Sequence, residues 1–302
     1  MAEGCQLHNL GQQRVRCLVK LGGAAITDKQ VLETLNSEVL EHTARAVAKG
    51  IGAAEGAGFV VVHGAGSFGH HQASEAKVAA GGLHAASVRR GFVVTRLSVM
   101  KLHNHVLDAL VSAGVEAVGV SPMGKWQPCR RQMGWAWDHD IAELLHNSFV
   151  PVIHGDCVFD KELGCTILSG DAVMSHIAKT TQPESVVFLT NVDGVFTEPP
   201  ERQSARLLRH IRVRKDGSWT ADGLRQEEFC SSSDRRDTTG GISKKVEEAA
   251  CIAREGLTVI IAKAGTEDAR ATLLLGAAVV GGAGHAMLGR PFVGTVVTDG
   301  AW

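Results

Sequence analysis

The chain has 302 residues, 44% hydrophobic and 21% charged, which is enough to bury a substantial core and too apolar for wholesale disorder. Its 31 Lys plus Arg stand against 32 Asp plus Glu, a formal net charge of −1, which excludes a general electrostatic footprint for nucleic acid. Tyr is absent and aromatics total 5%, so base-stacking platforms and membrane aromatic belts are excluded too. Met1 to Gln13 carries no apolar run and reads as no signal peptide. A strand is expected over Arg14 to Leu21, closing on Gly22-Gly23. Helical spacing follows from Gln30 to Lys49. A second strand, Gly58 to Val62, runs into His63-Gly64-Ala65-Gly66, with a long helix expected from Ala85 to Ala113. Then come a strand at Val115 to Val120 and a short helix near Ile141 to Asn147.

Val150 to Val158 and Cys165 to Leu168 read as two strands joined by a turn at Asp160 to Gly164. Asp171 to Lys179 is a helix with an acidic start, which suits the helix dipole. Ser185 to Thr190 and Leu257 to Ala262 are strands, Gly241 to Glu255 a helix, and Phe292 to Thr298 closes the sheet. Met123 to Asp140 and Glu198 to Asp237 lack a period and read as surface excursions. Ala271 to Gly289 has no Asp, Glu, Lys or Arg, yet five glycines break it, so it reads as a glycine-rich loop beside a buried helix rather than a membrane span. The seven cysteines form no C-x-x-C pair and fit a reducing, cytoplasmic setting. Alternating strands and helices imply an α/β sandwich around a mostly parallel central sheet.

The chemistry sits at the strand ends. Gly64 to Gly69 satisfies G-x-G-x-x-G, but the acidic residue a dinucleotide fold needs about 20 positions on is replaced by Arg89 and Arg90 inside helical sequence. A Walker loop fails as well, because His70 and His71 stand where Lys and Ser/Thr belong. What remains is a phosphate cradle ending in an imidazole. Lys20 closes the first strand and Lys29 follows, while Ser169-Gly170-Asp171, Asn191-Val192-Asp193-Gly194 and Thr239-Gly240-Gly241 to Lys245 mark three further strand-to-helix junctions. Glycine cradles, lysines and carboxylates converging on one crevice are the parts that phosphoryl transfer uses. His63, His70 and His71 have no acidic or cysteine partner at ligand spacing, and His103 and His105 point to different helix faces, so no metal site is assigned. Phe92, Val93, Leu97 and Met100 are expected to pack in the core.

These motifs resemble those of the amino acid kinase superfamily and, within it, the isopentenyl phosphate kinases. The resemblance runs from Lys20 to Val297, and its most specific part is Gly66-Ser67-Phe68-Gly69-His70. It implies an amino acid kinase fold in a single domain over residues 1–302, with an acceptor half at 1–168 and an ATP half at 169–302. It further implies transfer from ATP, with magnesium, to isopentenyl phosphate, a prenyl monophosphate, by a homodimer. The alternatives are a sibling kinase acting on a phosphonate, carboxylate or carbamate, or a non-catalytic nucleotide-binding regulatory domain. Composition argues against nucleic-acid or membrane partners. Lys20 and Lys29 would meet the terminal phosphates and the transferring group. Leu21, Gly22, Gly23 and Gly66, with Asp193, Gly194, Gly241 and Lys245, would serve ATP. Ala65, Gly66, His70 and Gly170 would serve the acceptor, and Asp171 would orient the lysines. Ala65 and Ala172 depart from the family's usual glycine and aspartate.

Overall fold

Strands in which nearly every side chain is apolar need cover on both faces, and a parallel sheet between two helix layers supplies it. The structure is a computed structural model that describes residues 14–54, 56–124, 138–222, 224–225 and 242–300. Strand β1 (Val15–Leu21) leads through the single turn α1 (Gly23–Ile26) to α2 (Ser37–Gly52) and β2 (Gly58–His63). The short α3 (His70–Glu75) and the long α4 (Ala86–Ser112) precede β3 (Ala117–Val120), α5 (Asp138–His146) and β4 (Val150–His154). A hairpin of β5 (Asp156–Asp160) and β6 (Gly164–Leu168) runs into α6 (Gly170–Thr181) and β7 (Ser185–Thr190). Short strands β8 (Val195–Phe196), β9 (Leu207–Leu208), β10 (His210–Val213), β11 (Trp219–Ala221) and β12 (Leu224–Arg225) follow. Helix α7 (Ile242–Ala253), β13 (Val259–Lys263), α8 (Glu267–Leu275), α9 (Gly282–Leu288) and β14 (Thr295–Asp299) complete the described chain.

Ten strands form one sheet in the order β12-β11-β10-β14-β13-β7-β1-β2-β4-β3. From β13 to β3 all neighbours are parallel. Alternation along the strands divides the core. Leu18, Val60, Val62 and Ile153 meet Val173, Met174 and Ile177 of α6 and Val246 of α7. Val19, Leu21, Phe59 and Val61 meet Val47 of α2, Leu102, Val106 and Leu110 of α4, and Leu273 of α8. Each such side chain, fully buried, contributes about 1.5–3 kcal/mol. In α4 the buried Phe92, Thr95, Val99, Leu102, Val106 and Leu110 recur at helical spacing and fix which face meets the sheet.

Several expectations need correction. The helix expected from Gln30 begins only at Ser37. A bridge between Thr27 and Leu35, and an Asp28 side chain that accepts from Gln30 N at 2.9 Å, hold the preceding residues in a loop. Val150 to Val158 is not one strand: it breaks at Gly155, where β4 leaves the central sheet and the hairpin begins. The described part of Glu198 to Asp237 is no mere excursion, because β10 joins the sheet parallel to β14 and β11 pairs with β10. Residues 226–237, like 125–137 of the other expected excursion, lie outside the described residues. Ala271 to Gly289 is helical over much of its length rather than a loop, and no described helix is long and apolar enough to cross a membrane. On α4, Phe92 is buried as expected but Val93 and Leu97 are exposed.

Candidate active site

The parallel strands bring Leu21, His63, His154 and Thr190 to one end of the sheet. There β1 has β2 on one side and β7 on the other, so the chain reverses direction across the sheet at β1 and opens a crevice at the strand ends.

Lys20 shares the parity of Leu18 and so faces the α6 layer. Its ammonium forms an ion pair with the Asp171 carboxylate and lies 5.2 Å from the centre of the Phe188 ring. The two side chains keep 12% and 23% of their exposure, so the pair is shielded yet still reachable by a ligand. Asp171 is held there by its helix. Ser169 caps α6 by accepting from Ala172 N at 3.1 Å, and a carboxylate in the first turn is favoured by the helix dipole.

Around this pair the backbone comes unusually close to itself. Gly22 N donates to Leu189 O at 2.8 Å, and Gly64 N to Leu21 O at 3.0 Å. A Cβ on Gly22 would stand 2.8 Å from Leu189 O, and one on Gly64 2.9 Å from Gly23 N. Gly66 has a φ of +51°, and any side chain there would run into Thr27 Oγ1, which already accepts from Ser67 N at 3.0 Å. A Cβ on Gly155 would lie 2.9 Å from Gly170 N, which brings the α6 start against the end of β4. The Lys20 cation thus stands beside a crevice lined by glycine backbone at the strand ends, where an anion can approach closely.

The structure brings Lys20, Gly22, Gly23, Ala65, Gly66, Gly170 and Asp171 together. Leu21 belongs to the same turn, but its side chain is core. Lys29 is exposed in the loop after α1, and its carbonyl lies 3.2 Å from His71 Nε2, so that loop reaches α3. His70 is exposed and opens α3 just after Gly69. Asp193 and Gly194 follow β7 on the side of β14: Thr295 Oγ1 accepts from Val195 N at 2.8 Å, directly behind Gly194. Gly241 lies outside the described residues, as does the side chain of Lys245.

Sequence reasoning missed a buried cluster beside this crevice. His63 is completely buried, away from the exposed His70 and His71, and stacks with His103 of α4 and His154 of β4. Next to it Arg96 ion-pairs with the buried Asp156. Burial pushes the Asp156 carboxyl up to about 6, against the opposing pull of the Arg96 guanidinium. A signal did exist: the apolar runs of β2 and β4 both end in His-Gly, at His63-Gly64 and His154-Gly155.

A family model described as the amino acid kinase family matches residues 15–263. An isopentenyl phosphate kinase from Arabidopsis thaliana is 40% identical over 308 aligned positions, covering 88% of this chain and 93% of the relative. One from Methanothermobacter thermautotrophicus is 32% identical, covering 93% and 98%. A solved isopentenyl phosphate kinase structure superposes with a TM-score of 0.69 at 29% identity, covering 94% of this chain and all of the other.

Proposed function

This chain belongs to the amino acid kinase family and, within it, to the isopentenyl phosphate kinases, and we propose that its crevice moves the γ-phosphoryl group of ATP onto isopentenyl phosphate. A phosphate oxygen of the acceptor forms the new bond to the γ-phosphorus while the bond to the β–γ bridging oxygen breaks. ADP leaves with that electron pair and isopentenyl diphosphate is the other product. The acceptor is already an anion, so the protein need not remove a proton from it. Its work is alignment and charge neutralisation.

The observation that carries this reading is the Lys20–Asp171 pair set among glycines whose side-chain space is filled by neighbouring backbone. Asp171 aims the ammonium, and Lys20 meets charge as it spreads over the transferring group. The turn Lys20-Leu21-Gly22-Gly23 and Gly66 would receive the nucleotide's phosphates, with Asp193, Gly194, Gly241 and Lys245 on the ATP side. Ala65, Gly66, Gly170 and His70 would hold the acceptor's phosphate, and Lys29 would reach the transferring group from its loop.

Magnesium would enter on the nucleotide's own oxygens. Among the described residues there is no group of three or more His, Cys, Asp or Glu that could cage it, and this ion ordinarily keeps waters and takes few carboxylates. In this reading residues 1–168 form the acceptor half and 169–302 the ATP half of a cytoplasmic homodimer. The test is a coupled assay with ATP and magnesium, in which isopentenyl phosphate should release ADP and the acceptor should gain one phosphoryl group. Release of ADP with no change in the acceptor would refute it.

A further inference from the structure

His63 and His154 end adjacent parallel strands in matched register, and each is followed by glycine. Their rings do the same thing. His63 Nδ1 lies 3.1 Å from Gly64 O, and His154 Nδ1 lies 3.1 Å from Gly155 O. A carbonyl only accepts, so both Nδ1 atoms carry the proton and both Nε2 atoms are lone pairs. His63 Nε2 is 3.0 Å from His103 Nδ1, which must therefore be the donor of that bond. His103 in turn is seated by Gly119, where a Cβ would collide with its Nε2.

We propose that this buried histidine stack is a positioning device for the phosphate cradle, in which His103 fixes the tautomer of His63 and His63 fixes the peptide between Gly64 and Ala65. The geometry of a trans peptide supplies the link. Its C=O and N–H point to opposite sides. His63 has the parity of Val61 and lies on the α4 face of the sheet, whereas Lys20 lies on the α6 face. Drawing Gly64 O toward the His63 ring therefore turns the Ala65 N–H toward the side of Lys20 and Asp171. His154 repeats the arrangement one strand over, and Gly155 N ties the two strands together by donating to His63 O at 3.2 Å. Burial keeps the rings neutral, with His63 lowered to about 3 and His103 to about 4, so the donor pattern stays fixed at working pH. These are positioning residues. They sit behind the cradle and touch no reacting atom.

The inference rests on the kinase reading for its kinetic test, and a second readout is independent of it. His103→Leu removes the donor, whereas His103→Asn keeps one near the place of Nδ1. With isopentenyl phosphate and ATP varied separately, the Leu variant should lose about 10- to 100-fold in acceptor kcat/KM, the scale of an ångström-sized misalignment. Its KM for ATP should hold within about twofold, and the Asn variant should recover a good part of the loss. A purely structural role predicts no such recovery and no bias toward one substrate, and either of those results overturns the proposal. Nitrogen-15 imidazole spectra of the wild-type protein decide the tautomer without any substrate. Three rings protonated on Nδ1 and unchanged from pH 8 to pH 5.5 support the device, and Nε2 protonation of His63 overturns it. If wild-type protein fails to phosphorylate isopentenyl phosphate while the spectra show Nδ1 protons, it is the kinase reading that fails.

Discussion

Losing the ammonium of Lys20 should be felt as a rate. Lys20→Ala removes the one described cation ion-paired to Asp171, and losing such a contact costs on the order of 100-fold or more in kcat. ATP binding should weaken less than turnover if the charge acts mainly on the transition state. Steady-state kinetics with near-normal kcat would remove Lys20 from the mechanism. Asp171→Asn keeps shape but drops the charge paired with Lys20. Its thermal midpoint should move by only a few degrees, while kcat falls much more than ATP affinity does. A collapsed midpoint with normal activity per folded molecule would reduce Asp171 to a helix-terminus charge. At His70, exposed at the start of α3, loss of the imidazole should affect the acceptor alone. His70→Ala should raise the acceptor KM and lower turnover by about 1.5–3 kcal/mol, the range for a hydrogen bond to a charged group, with His70→Gln between the two. Damage to ATP binding instead would show that the two sites are reversed.

At the scale of elements, the cradle depends on one hydroxyl. Thr27, in the residue after α1, accepts from Ser67 N and donates to Gly23 O at 2.7 Å, so it clamps the β1 and β2 turns together. Thr27→Val should strand the buried Ser67 N–H at a cost of about 1–3 kcal/mol, whereas Thr27→Ser should stay near wild type. Chemical denaturation of the pair would show no difference if the clamp is immaterial. Legibility differs between elements for related reasons. The strands β1, β2, β4, β7 and β13 stand out because both faces are buried and their sequences are nearly continuous apolar runs. Strand β10 escapes because Ile211 and Val213 alternate with an exposed Arg212, and its partner β14 lies far along the chain. Val31 and Leu32 imitate a helix period but are exposed in a loop, where the Asp28 turn and the Thr27–Leu35 bridge override spacing. In the crevice, glycines and charged strand ends are readable because each is local to a turn. The meeting of His63, His103 and His154 is not, since three elements must fold before the rings touch.

For the whole molecule, the histidine stack sets an acid limit on stability. Burial lowers His63 from 6.5 to about 3 and His103 to about 4, and holds His154 well below 6.5. Below about pH 6.5 the unfolded chain takes up protons that the native rings refuse. Stability that is full above 6.5 is therefore lost as pH falls, by about 1.4 kcal/mol per pH unit for each ring. Asp156 opposes this: its native pKa is raised from 3.8 to about 6, so between those values the folded state binds the extra proton. One carboxyl set against three imidazoles leaves a net loss on acidification. The urea midpoint should drop from pH 7.5 to pH 5, and drop less in His103→Leu. Parallel lines for the two proteins would contradict this.

A crevice built from Lys20, Asp171 and the glycine cradle should direct ATP to a phosphate acceptor rather than to a carboxylate. Phosphorus-31 spectra of the full chain with ATP, magnesium and isopentenyl phosphate, set beside glutamate and acetylglutamate as carboxylate acceptors, test it most directly. One ADP and one diphosphate ester should form together from isopentenyl phosphate, with no turnover of the carboxylates. Phosphorylation of a carboxylate with isopentenyl phosphate left unchanged would contradict it.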